Sequence, residues 1–234
     1  PEMSRGLGDV YKRQQVDAIV LVPIDSKALV QPVVEAVRKG VPVINIDIRL
    51  DTQLLEQAGV EVAFVGPDNF AAAYEVGKLL DKKLRNEDKV AIIEGLAAAD
   101  NAQQRKRGFI KAIEEKGLRL VASEPADWET EKAAEVFQAM WMRYPDLKAV
   151  YCSNDAMALG VLQQMQEKNC YLPVVGFDND AVMKEFLSTG KLVATADIFS
   201  SQMAVRGIEF ALDVLEGKIE NRGVHSTAYE IIKQ

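Results

Sequence analysis

Short apolar runs alternate with amphipathic segments along the chain from Val16 onward. The runs have the length and β-branched content of strands, whereas the segments between them repeat apolar residues every three or four positions, as helices do. The runs cover residues 16–22, 41–47, 62–66, 89–95, 118–123, 148–154, 171–178 and 191–197. The helical stripes are Val30, Val33, Val34 and Val37, then Ala133, Val136, Phe137, Met140 and Trp141, then Val205, Ile208, Leu212 and Leu215. Apolar strands separated by amphipathic helices indicate parallel sheets covered on both faces, so the sequence predicts an α/β fold.

Polar and aromatic residues follow several of these strands. In open α/β sheets, ligands bind outside the carboxyl ends of the strands. Carboxylates, amides, one guanidinium and one flat ring suit a polyhydroxylated ligand, because planar polar groups hold neighbouring hydroxyls in pairs and an apolar sugar face stacks on an aromatic ring. The candidates by position are Asp47, Arg105, Trp128, Asn154, Asp155, Asp178 and Asp197.

Each candidate also has a purely structural interpretation. Asn154–Asp155 and Asp178–Asp180 stand at strand-to-helix junctions, where helix N-caps are common. Trp128 taken alone is typical of a packing residue, and Arg105 is typical of a surface charge whose pairing contributes little. Only their joint placement at strand ends favours a binding site.

Composition narrows the classes of function. The 234 residues are 48% hydrophobic and carry a net charge of −7, and this acidic balance argues against a nucleic-acid partner, which needs a basic face. No apolar run reaches the roughly 18–20 residues of a membrane span, so we expect no direct membrane insertion.

The sequence offers little for catalysis. His225 is the single histidine, and no G-x-S-x-G elbow accompanies it. The run Ser188–Lys191 lacks the upstream glycine of a phosphate loop. One histidine and two separated cysteines, Cys152 and Cys170, do not make a zinc site. We therefore expect a protein that is not an enzyme, holds no metal or cofactor, and has two free thiols.

The first residues do not share the rhythm that begins at Val16. Ser4–Gln14 reads SRGLGDVYKRQ, with neither the apolar core nor the cleavage site of a signal peptide. It resembles translated sequencing-adapter sequence, so we expect residues 1–14 to be a non-native tail. A natural exposed tail is the alternative.

Six further segments together resemble a known family. They are VPVINIDIRLD at 41–51, VGPDNFAAA at 65–73, VASEPADWETEKA at 121–133, YPDLKAVYCSNDAMALG at 144–160, VVGFDND at 174–180 and KLVATAD at 191–197. In content and order they are similar to type I periplasmic sugar-binding proteins of ABC transporters, and within these to the group that binds D-allose and ribose. The resemblance implies two Rossmann-like lobes with parallel sheets, joined by a three-crossing hinge, that close on a monosaccharide in the cleft.

The resemblance also implies lobe bounds and residue roles. Lobe 1 would contain residues 15–66 and 199–225, and lobe 2 residues 67–198 and 226–234. Trp128 would stack on the sugar and Arg105 would clamp it, with Gln103 in that place if the register shifts by two residues. The polar contacts would be Asp47, Asn154 and Asp178, and Asp197 stays a candidate from its position at a strand end.

Two departures leave the sugar open. Ribose-type proteins carry an arginine where this chain has Ile48, and a glutamine where it has Ile198. An apolar residue removes a hydroxyl contact, which favours a less oxygenated ligand or one shifted toward Asp197 or Phe199.

The family implies a monomer that delivers its ligand to an ABC permease or a chemoreceptor, in the periplasm or lipid-anchored outside the cell. The similarity begins at what should be the third strand of the first lobe. We therefore expect that lobe to be truncated, and the chain as given to be poorly stable and to bind sugar weakly or not at all. Two alternatives stay open: the effector-binding domain of a lac-repressor-family regulator, and an extracellular sugar sensor domain.

Overall fold

The computed structural model describes residues 16–233, and the predicted tail, residues 1–14, lies outside them. The chain divides into two compact units. The first contains the described residues up to Pro67, Ala98–Asp100 and Phe199–Thr227, and the second contains Asp68–Ala97, Asn101–Ile198 and the described residues from Ala228 onward. Each unit is built on its own sheet, which confirms the predicted α/β class.

The first unit has a four-stranded parallel sheet in the order β1-β2-β3-β9. Its strands are β1 (Ile19–Leu21), β2 (Val43–Ile46), β3 (Phe64–Pro67) and β9 (Val224–Thr227), and its helices are α1 (Val30–Arg38), α2 (Thr52–Gln57) and α8 (Ser200–Leu215). All four residues of β2 are buried, as its continuous apolar sequence predicts. Val33 and Val34 of α1 are fully enclosed in the core beneath this sheet.

The α8 helix packs differently from what its apolar stripe suggests. Val205, Ile208, Leu212 and Leu215 are each about half exposed. The helix buries Met203, Gly207 and Ala211 instead. A Cβ at Gly207 would lie only 2.8 Å from Cγ2 of Ile46 in β2, so small residues let this helix approach the sheet closely.

The second unit has a six-stranded sheet in the order β10-β8-β7-β6-β4-β5, parallel except for the β10–β8 pair. Its strands are β4 (Lys89–Glu94), β5 (Arg119–Pro125), β6 (Ala149–Cys152), β7 (Val174–Val175), β8 (Leu192–Asp197) and β10 (Glu230–Lys233). Its helices are α3 (Asn69–Asp81), α4 (Asp100–Lys116, whose first residue groups with the first unit), α5 (Thr130–Arg143), α6 (Asp155–Glu167) and α7 (Lys184–Ser188), with a 3-10 turn at Ala181–Met183.

Three strands differ from the sequence prediction. β7 is only two residues long, because Pro173 has no backbone N–H to donate to a ladder. β9 and β10 were not predicted, since most of their residues are at least partly exposed and form no continuous apolar run. A membrane-spanning helix is not found among residues 16–233.

Candidate functional site

Arg105 of α4 is the centre of a polar cluster in the second unit, and only 3% of it is exposed. Its Nε donates to Oδ1 of Asn69 at 2.9 Å, and its Nη1 donates to the backbone carbonyl of Ser153 at 2.8 Å. The same Nη1 lies 3.3 Å from Oδ1 of Asp178. Arg105 is therefore a buried cation fixed by α3, the end of β6 and the loop after β7, rather than a surface charge.

Two aromatic rings flank this guanidinium. Its Cζ lies 3.7 Å from the ring centroid of Phe177 and 5.5 Å from that of Trp128. Both distances are within the range of cation–π attraction. Trp128 is partly exposed, so the cluster offers an indole surface beside a fixed positive charge.

The backbone is left-handed at several strand ends in both units. The φ angles are 52° at Asp127 and 71° at Trp128 after β5, and 108° at Asp178 and 57° at Asn179 after β7. In the first unit, φ is 65° at Asp47 after β2. Such angles are uncommon outside glycine and persist where surrounding contacts hold them, often at ligand sites.

The other predicted contacts of the second unit have defined partners. Asn154 is the N-cap of α6, where its Oδ1 accepts the Met157 N–H at 2.9 Å. Asp197 at the end of β8 accepts from Nδ2 of Asn179 at 2.9 Å through its Oδ2. The N-cap interpretation thus holds for Asn154, whereas Asp178 pairs with Arg105.

Gln103 lies two residues before Arg105 on the same helix. Its Nε2 donates to the backbone carbonyl of Ala97 at 2.9 Å. Of the two residues that the register left open, Arg105 is the one that lies against Asp178 and Trp128.

A buried carboxylate lies behind the loop after β7, and sequence reasoning gave it two interpretations, a strand-end ligand contact and a helix cap. Asp155 has no exposed surface, and it accepts from Oγ1 of Thr195 and from the Asp180 N–H, both at 2.9 Å. Burial raises its pKa to about 7, and the nearby charges of Asp178 and Asp180 act in the same direction. The sequence signal was its position directly after Asn154 at the end of a strand.

In the first unit, Asp47 stands at the end of β2, and its N–H donates to the Val65 carbonyl at 3.3 Å. Sequence reasoning missed the residue that shapes this turn, Asn45, which is 2% exposed. Its Nδ2 donates to the Ile48 carbonyl and its Oδ1 accepts the Leu50 N–H, both at 2.8 Å. The turn that carries Asp47 is therefore fixed from within the sheet.

Groups suited to nucleophilic or metal chemistry lie elsewhere or are enclosed. His225 contacts the ring of Phe210 and the Arg222 carbonyl. Cys152 is buried, which raises its pKa, and Cys170 is partly exposed; both are free thiols. Among residues 16–233, no group of histidine, cysteine and acidic side chains could hold a metal ion. The arrangement around Arg105 is instead suited to hydrogen bonding and ring stacking.

The family described as "Periplasmic binding protein domain" matches residues 12–219. A D-ribose/D-allose-binding protein of Pseudomonas aeruginosa is 43% identical over 93% of this chain and 70% of its own length. A D-allose-binding periplasmic protein of Escherichia coli is 35% identical over 83% of this chain, which spans 64% of that relative.

Solved structures agree with this match. An ABC transporter solute-binding protein from Burkholderia multivorans superposes with a TM-score of 0.94 at 40% identity, over 99% of this chain and 82% of that one. A periplasmic solute-binding protein from Actinobacillus succinogenes with bound D-allose gives a TM-score of 0.91 at 30% identity, over 99% of this chain and 83% of that one. Sequence and fold together show that the chain belongs to the type I periplasmic binding proteins, a family that binds ligands rather than transforming them.

Proposed function

We propose that this protein is the solute-binding component of a sugar ABC transporter and that it binds a ribose-like or allose-like monosaccharide. The observation that carries the proposal is the fixed Arg105–Asp178 pair beside the partly exposed indole of Trp128. A monosaccharide presents both donor and acceptor hydroxyls and an apolar ring face, and this cluster has a partner for each. Among the relatives named above, the Pseudomonas aeruginosa and Escherichia coli proteins are named for binding D-ribose or D-allose, and the Actinobacillus succinogenes structure holds D-allose.

The roles follow from chemistry. Arg105 would donate to sugar oxygens, because its guanidinium is held in one orientation and has five N–H groups to distribute. Asp178 and Asp197 would accept from hydroxyls, and Trp128 would cover the ring face. Asn154 would use the part of its amide that does not cap α6.

The first unit would contribute Asp47, whose turn is held by Asn45. Ile198 is 4% exposed and apolar. A ligand next to it would lack a hydroxyl partner there, which favours a sugar with fewer polar groups on that side. Closure of two lobes on the ligand, with the lobe bounds given above, stays a prediction of the family resemblance.

We further propose a periplasmic or lipid-anchored extracellular location and monomeric delivery to an ABC permease. These follow from the family and its named relatives. A chemoreceptor is a second candidate partner of the same ligand-bound form.

The test is a calorimetric titration of the complete natural protein with D-ribose, D-allose and a panel of other monosaccharides, because only weak binding is expected of the chain as given. We expect a dissociation constant in the micromolar range or tighter for at least one of them. The absence of heat with every sugar would contradict the proposal.

A parallel titration followed by tryptophan fluorescence locates the site, because the chain has only two tryptophans, Trp128 and Trp141. Trp141 packs against Phe137 in the core of the second unit. W141F should keep the sugar-dependent fluorescence change, and W128F should lose most of it. The reverse result would exclude Trp128 as the stacking residue.

A further inference from the structure

We propose that Asp155 and Thr195 are positioning residues for the ligand site. In this inference they hold the loop of residues 176–180 so that Asp178 faces Arg105 and Asn179 faces Asp197. It rests on the proposed function of that same site. Neither residue is expected to touch the sugar, since both are completely buried.

Asp155 and Thr195 bind the backbone of this loop directly. Asp155 accepts the Asp180 N–H at 2.9 Å through Oδ2, and its own N–H donates to the Phe177 carbonyl at 2.7 Å. Thr195 donates its hydroxyl to Oδ1 of Asp155 and accepts the Asn179 N–H at 3.2 Å. Two successive loop amides are thus held by side chains from the start of α6 and from β8.

The loop needs such anchors because its conformation is intrinsically unfavourable. Asp178 and Asn179 both have positive φ, which costs free energy for residues with a side chain. Gly176 at the start of the loop leaves the space that the carboxylate occupies, because a Cβ there would lie 2.0 Å from Oδ1 of Asp155. The buried carboxylate and the loop are therefore fitted to each other.

The anchored loop sets two of the proposed sugar contacts. Asp178 reaches within 3.3 Å of Nη1 of Arg105, and Asn179 donates to Asp197 at 2.9 Å. If the loop relaxed toward ordinary φ angles, Asp178 would leave the guanidinium and the Asn179–Asp197 hydrogen bond would break. Ligand affinity should therefore depend on two side chains that lie behind the site.

The test compares variants that remove or keep the anchoring groups. T195V removes the hydroxyl with little change in shape, and T195S keeps it. D155N keeps one carbonyl oxygen but replaces the other acceptor with an amide group. D81N is the matched control, because Asp81 of α3 is also a buried carboxylate, hydrogen-bonded by Tyr151, and has no contact with the loop among its described hydrogen bonds.

Two measurements are made on the complete natural protein. The first is amide hydrogen exchange of residues 176–181, which needs no ligand, and the second is the dissociation constant for the sugar that binds best. In T195V and D155N we expect faster exchange at Asn179 and Asp180 and weaker binding, each by about tenfold, the size of one lost buried hydrogen bond. T195S and D81N should stay within about twofold of the unmodified protein in both measurements.

The outcomes separate this inference from the proposed function. Unchanged exchange at 176–181 in T195V and D155N would overturn it, as would faster exchange with unchanged affinity. Loss of affinity in D81N equal to that in T195V would also overturn it, since the effect would then be one of general stability. If the unmodified protein binds no sugar while T195V and D155N still speed exchange in the loop, the anchoring is supported and the sugar assignment fails.

Discussion

The indole of Trp128 lies directly over Gly95, so close that a Cβ at position 95 would fall 2.1 Å from a carbon of the ring. Gly95 follows β4, and Trp128 follows the neighbouring strand β5. Because Gly95 has no side chain, the space next to the end of β4 is open to the indole of Trp128. Any larger residue at position 95 must displace the proposed stacking surface.

G95A should therefore weaken sugar binding much more than it weakens folding. We expect a loss of affinity of at least about tenfold, equivalent to ~1.4 kcal/mol, because the new methyl group must displace the indole of Trp128. G77A is the matched control. A Cβ at position 77 would lie 2.9 Å from Cβ of Ala112, between α3 and α4. It would therefore cause a steric clash in the same unit but not at Trp128. Calorimetric titration and urea unfolding of both variants separate the two effects. Equal affinity in the two variants would contradict the prediction.

R105K should abolish measurable sugar binding although the charge is kept. Lysine cannot reproduce the forked contacts to Asn69, the Ser153 carbonyl and Asp178. The free energy of unfolding should fall by about 1–3 kcal/mol, since buried partners are left unsatisfied. R107K, an exposed substitution on the same helix, should change neither quantity. Sugar binding by R105K at unchanged affinity would show that the guanidinium is not a ligand contact.

The pKa of Asp155 predicts a pH-dependent stability. The pKa of Asp155 is about 7 in the folded state, above its ordinary value of 3.8. Between pH 3.8 and pH 7, the carboxyl is therefore protonated in the folded state and ionised in the unfolded state. The free energy of unfolding should therefore decrease as pH rises from about 4 to about 7, with a slope of up to ~1.4 kcal/mol per pH unit from this group. Above pH 7, Asp155 should cause no further change.

D155N should remove this contribution. Burial also raises the pKa of Asp81, so a shallower slope of the same sign should remain in the variant. Urea unfolding at a series of pH values from 4 to 8 measures both curves. Identical slopes with and without the Asp155 carboxyl would contradict the assignment.

Y151F should lower stability without changing sugar affinity. The Tyr151 hydroxyl donates to Oδ1 of Asp81, and both residues are buried in the second unit. Without it, a buried acceptor loses its partner, which costs about 1–3 kcal/mol. Urea unfolding should show this loss, and titration should show an unchanged dissociation constant. A large change in affinity would mean that this pair is coupled to the ligand site.

Much of the secondary structure could be predicted from the sequence, because β-branched runs and helical apolar spacing reflect local geometry. The run 43–46 forms a fully buried strand, and Val33 and Val34 face the core. The α8 stripe shows the limit of this reasoning. Periodicity shows where the large apolar residues of the helix lie. The face that packs on the sheet is instead the one with Gly207 and Ala211, because only small residues let the helix come this close to β2.

The fold class, the family and the polar residues at strand ends could all be predicted from the sequence, since each depends on local pattern or motif order. The folded structure was needed to show that Arg105 is buried, that Gln103 donates to the Ala97 carbonyl, and that Asn154 serves as a helix cap. It also decided that Asp155 lies behind the loop that carries Asp178. These properties depend on which strand ends become neighbours in the sheet and on how burial shifts the pKa of an ionisable group. Neither can be read from the spacing of residues along the chain.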